Sequence, residues 1–122
     1  MNPQTKTTIG WVLTGLLAAF LTFSAFGKLT GAEEAVKGFE SMKLNQSHLL
    51  LAGIVEISAV ILFIIPRTGV IGLLLMMAYL GATVLAHLQL GYPIYLNLAI
   101  AIAAVLIGNL RFPEIGNRLL GK

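Results

Sequence analysis

The residues best placed to do chemistry in this chain are one carboxylate, one imidazole and one amine: Glu56, His87 and Lys28. Glu56 is the only charged residue in the apolar run 48–65. An ionised side chain at the centre of a bilayer costs roughly 2.5 kcal/mol or more, so Glu56 must be neutral there or paired inside the protein. Eight residues separate it from the start of that run, about 12 Å along a helix at ~1.5 Å per residue. That is too deep for its carboxylate to reach a headgroup easily. Lys28 closes the preceding apolar run, 9–27, His87 and Gln89 stand at the end of a third, 69–90, and Asn97 stands near the start of a fourth, 94–110. Tyr79, Thr83 and His87 are spaced by four and share one helix face. Lys28, Glu56, Tyr79, Thr83, His87 and Asn97 therefore form the candidate ligand-binding set, at one level near one end of the runs. Glu56 and His87 are the candidate proton-exchanging groups, with Lys28 able to stabilise negative charge on a bound oxygen. The plainer alternatives are an ion pair of Glu56 with Lys28 or His87, a Lys28 that extends to headgroups, and Trp11, Tyr92 and Tyr95 as an interfacial aromatic belt. Met76 and Met77 read as packing.

What positions these groups follows from composition. The 122 residues are 57% hydrophobic and 11% charged, with a mean hydropathy of +0.90. Ordinary soluble domains are about one-quarter charged. This much apolar side chain needs lipid as a partner. The absence of cysteine removes disulfides, thiolate metal sites and thiol redox chemistry. Two histidines without ligand spacing suggest no metal site, and a scattered net charge of +3 does not suit nucleic acid.

The four apolar runs match the ~20 residues that cross hydrocarbon as a helix. Pro66-Arg67 ends the second, and Arg111 and Pro113 end the fourth. The expected architecture is a single all-α domain over residues 1–122, an integral membrane antiparallel four-helix bundle. Residues 66–68 and 91–93 are connections short enough to force antiparallel neighbours. The long connection, 28–47, is expected to hold a short interfacial helix: Thr30 and Glu33 have capping-box spacing, Glu33 precedes Lys37 by one turn, and Val36, Phe39 and Met42 share a face. Such a helix would lie over the bundle as a cover. Gly53, Gly69, Gly72, Ala78 and Gly81, and the pair Gly15 and Ala19, suit close helix packing. Polar residues 1–8 precede a run too long for a signal-peptide core, so the first helix is expected to be retained. Lys6, Arg67, Arg111, Arg118 and Lys122 share one side of the spans, and Lys28, Lys37 and Lys43 the other, beside Glu33, Glu34 and Glu40. The positive-inside rule then puts both termini in the cytoplasm. The half of the bundle away from Glu56 offers nothing comparable to the polar set.

Phe26-Gly27-Lys28-Leu29-Thr30-Gly31, Gly53-Ile54-Val55-Glu56, and Gly81-Ala82 with His87-Leu88 together resemble the DoxX-like family, over nearly the whole chain. The resemblance implies a small four-helix protein of the bacterial inner membrane, in a family named for a subunit of a thiosulfate:quinone oxidoreductase. It also carries over the Lys28, Glu56 and His87 set.

The leading functional expectation is a protein that holds a small amphipathic molecule, such as a quinone, in the polar pocket. It would serve as the accessory subunit of a membrane oxidoreductase, not as an enzyme on its own, and a redox protein partner would supply the electrons. A second is a proton-coupled small-molecule transporter acting as a homo-oligomer through Glu56. A third is a structural protein whose polar network only fixes helix register.

Overall fold

The computed structural model describes residues 2–121, and every regular element among them is helical. Helix α1 (Pro3–Leu29) starts earlier than the apolar run because Asn2 caps it, accepting from the Thr5 amide at 2.7 Å, and Pro3 supplies the first-turn geometry. Helix α2 (Glu33–Ser41) occupies the long connection. Its start differs from the expected capping box: Ala32 is the N-cap, without a side-chain bond, and the Thr30 hydroxyl donates back to the Phe26 carbonyl at 2.7 Å. Thr30 thus ends α1 instead of opening α2, because Gly31, at φ +71°, already turns the chain. The Glu33–Lys37 pair forms at 3.0 Å.

The capping box of the chain lies elsewhere, at the start of α3 (Gln46–Ile64), where Asn45 accepts from the His48 amide and His48 Nδ1 accepts from the Asn45 amide, each at 3.1 Å. Pro66 pushes Ile65 into an extended conformation and ends α3. A 3-10 turn over Pro66–Thr68 leads into α4 (Gly69–Leu90), which stops at Gly91 with φ +75°. Helix α5 (Tyr95–Arg111) is followed, after a bend of 117°, by the short α6 (Pro113–Leu119).

Helix α1 packs on α3 and α5, and α4 packs on the other sides of the same two, giving a ring in the order α1, α3, α4, α5. Leu17, Leu21, Val60, Phe63, Met76, Leu80 and Ile107 fill its centre. Gly72 lets α4 approach the α3 backbone at Leu62 and Phe63, and Gly53 lies against the side chains of Lys28 and Leu29. Gly15, Ala19, Ala78 and Gly81 face outward, so the close contacts expected of them are not made within the chain. The outer surface is apolar: Phe23 is 81% exposed, and Leu16, Leu74, Leu85 and Leu106 are exposed with it. Helices α1 and α3, and α4 with its preceding turn, are long and apolar enough to cross a membrane, and α5 joins them if the bent α5–α6 pair is counted as one span.

Candidate functional site

At the end of the ring that carries α2, a cavity of about 380 Å³ opens between the helices. That is within the ~300–1,000 Å³ of small-molecule sites. All six residues of the expected set line it: Lys28 from α1, Glu56 from α3, Tyr79, Thr83 and His87 from α4, and Asn97 from α5. Most of the remaining wall is apolar, including Phe20, Leu80, Leu96 and Ile100. Phe39 of α2, with Met42 and Leu44 just beyond it, closes one side, so the apolar face of α2 does turn toward the bundle.

Glu56 is 2% exposed and, with α3 beginning at Gln46, sits near the middle of its helix. Lys28 Nζ donates to Glu56 Oε1 at 3.0 Å and to Ser24 Oγ at 2.8 Å. The Tyr79 hydroxyl donates to the same Oε1 at 3.2 Å, and the Lys28 ammonium lies 5.8 Å from the Tyr79 ring centroid. Lys28 therefore turns inward to Glu56 and not out to headgroups. Bonds of this kind offset much of the cost of burying the carboxyl group. Both bonds end on Oε1. Oε2 accepts none from the protein, yet no fully buried side-chain polar atom among the described residues lacks a partner. Oε2 is thus accessible, on a residue that lines the cavity.

His87 is not bonded to Glu56. Its Nδ1 lies 3.3 Å from the Pro93 carbonyl, and its ring meets Tyr92 edge-on at 5.9 Å. A carbonyl only accepts, so Nδ1 carries the proton toward Pro93. Asn97 donates from Nδ2 to Thr83 Oγ1 at 2.9 Å, and Thr83 donates to the Leu80 carbonyl at 2.7 Å. The six residues thus share one cavity but divide into a Lys28–Glu56–Tyr79 cluster, a Thr83–Asn97 pair and a separately tied His87.

A second polar cluster lies at the opposite end of the ring, where none was expected. Arg111 is only 8% exposed. Its Nη1 donates to the Phe63 carbonyl at 2.7 Å and to Thr14 Oγ1 at 3.4 Å, and its Nη2 to the Ile64 carbonyl at 3.3 Å. The guanidinium carbon lies 4.1 Å from the Trp11 ring centroid, 4.9 Å from that of Phe63 and 4.8 Å from that of Phe112. Arg111 is therefore not a free flanking charge: its guanidinium caps the carbonyl end of α3 between aromatic faces, while Trp11 itself stays 40% exposed. The four-residue spacing of Gly10 and Thr14 beside the Trp11 position could have hinted at it, since Arg111 packs where a Gly10 side chain would stand.

Residues 12–108 match the family model described as the DoxX-like family. The chain belongs to the DoxX-like family. Its apolar helices and this membership support a multi-pass membrane protein. No curated protein and no solved structure matches this DoxX-like chain. The matched segment spans all six cavity residues from Lys28 to Asn97 and stops short of Arg111.

Proposed function

We propose that this DoxX-like protein crosses the bacterial inner membrane as an antiparallel four-helix bundle and binds a small amphipathic molecule of the quinone class in the cavity beside α2. The observation that carries this reading is the buried Lys28–Glu56–Tyr79 cluster, with one carboxylate oxygen left accessible in an otherwise largely apolar cavity. Apolar walls suit a ring and the start of a tail, and a few converging polar groups orient a head. At that head Glu56 can take or return a proton through Oε2, while the Lys28 ammonium holds negative charge and the Tyr79 hydroxyl fixes the carboxylate. The chain has no cysteine for thiol redox, so electrons come from a partner redox protein, and this chain acts as an accessory membrane subunit.

The test is purification in mild detergent followed by extraction and mass spectrometry of wild type and Glu56→Gln. An amphiphile retained by the wild type and lost from the variant at unchanged melting temperature supports the site. Identical extracts containing bilayer lipid alone would sink it and leave Glu56 as a register-fixing residue.

A further inference from the structure

We infer that the cavity selects the reduced, hydroxyl-bearing form of its ligand, a hydroquinone or similar phenol, over the carbonyl form, and that Asn97, Thr83 and His87 make the distinction. The inference rests on the amphiphile site proposed above and concerns the direction of each hydrogen bond within it. The Leu80 carbonyl can only accept, so the Thr83 hydroxyl must spend its proton there. Thr83 Oγ1 then has only lone pairs to offer, and Asn97 must present its amino group to it. That settles which way the Asn97 amide points: Oδ1 is the atom left without a partner. Asn97 is 9% exposed, and no fully buried side-chain polar atom among the described residues is unpaired, so Oδ1 is accessible.

The same reasoning applies to His87. Its Nδ1 faces the Pro93 carbonyl, and an imidazole that carries its proton on Nδ1 offers Nε2 as an acceptor. At the α1–α3 side the cavity keeps both kinds of group: one ammonium proton of Lys28 remains beside Oε2 of Glu56. At the α4–α5 side the uncommitted atoms are acceptors, Asn97 Oδ1 and Nε2 of His87. A ligand oxygen placed there must bring its own proton. A hydroquinone hydroxyl does, whereas a quinone carbonyl sets acceptor against acceptor.

Equilibrium dialysis of the detergent-solubilised full chain with three probes tests this: a decyl-substituted hydroquinone kept reduced, its quinone, and its di-O-methyl ether. The hydroquinone is expected to bind about tenfold tighter than either of the others, the effect of one mismatched buried polar contact. Thr83→Val releases the Asn97 amide to turn over, so quinone binding should rise and the preference shrink toward one. Glu56→Gln should weaken both redox forms. Equal binding of hydroquinone and ether by the wild type, or tighter binding of quinone, overturns the selectivity while leaving the site intact. No binding of any probe overturns the site itself and the selectivity with it.

Discussion

The ammonium of Lys28 stands 3.0 Å from Oε1 of Glu56, with the two side chains only 16% and 3% exposed, and so ties the end of α1 to the middle of α3. Removing one partner of such a buried pair leaves the other uncompensated, which costs about 3 kcal/mol or more. Lys28→Met is expected to lower the melting temperature sharply in detergent, and the double variant Lys28→Met with Glu56→Leu to recover most of the loss. A double variant no more stable than Lys28→Met alone would show that the two residues do not act as a pair.

Tyr79→Phe keeps the ring against Lys28 and deletes only the hydrogen bond to Glu56. A hydrogen bond to a charged group contributes about 1.5–3 kcal/mol, and the Lys28 bond remains to hold the carboxylate. The expected outcome is a modest drop in thermal stability with a larger drop in amphiphile retention, because the head of the site loses its fixed orientation. Unchanged retention would remove Tyr79 from the site.

At the other end, Arg111 satisfies the last carbonyls of α3 and is stacked between aromatic rings. Arg111→Met is expected to destabilise by about 2–4 kcal/mol, since it strands the Phe63 and Ile64 carbonyls. Arg111→Lys should rescue little: an ammonium on a single stem cannot reproduce the fork or the stacking. Thermal melts of the three proteins compare them directly, and full rescue by lysine would contradict the assigned geometry.

The glycines separate by what surrounds them. A Cβ on Gly72 would run into the α3 backbone, reaching the Leu62 carbonyl carbon and Phe63 Cα at 2.6 Å, whereas a Cβ on Gly15 meets nothing within 4 Å. Gly72→Ala should therefore push α3 and α4 apart and destabilise by about 2 kcal/mol or more. Gly15→Ala should be neutral or stabilise by up to about 1 kcal/mol through helix propensity. A destabilising Gly15→Ala would point to a second copy packed on that face.

Topology can be read with cysteines, because the chain has none of its own. Lys6, Arg67 and Arg118 are exposed at one end, Arg111 no longer counts among them, and Lys122 lies outside the described residues. With both termini in the cytoplasm, Lys37→Cys on α2 should react with a membrane-impermeant maleimide in intact cells and Lys6→Cys only after permeabilisation. The reverse pattern would invert the protein.

The positions of the long helices were legible along the chain because apolar run length, Pro66, Gly91 and Pro113 act on the residues next to them. The same local logic placed Lys28, Glu56, Tyr79, Thr83, His87 and Asn97 at one level, where they do line one cavity. Local spacing was a poor guide where two signals competed, as at Thr30, whose hydroxyl found the Phe26 carbonyl before it could cap α2. Which partner each polar group takes was decided by tertiary structure alone. Glu56 had both Lys28 and His87 as prospective partners, and the close approach of α1 to α3 at Gly53 favours the lysine, while His87 turns to Pro93. Arg111 looked like a flanking charge until the end of α3 came within reach with two carbonyls to satisfy. Run length and breaker residues are properties of neighbours in the chain. Hydrogen-bond direction and charge pairing depend on distances across helices, and those exist only once the ring has closed.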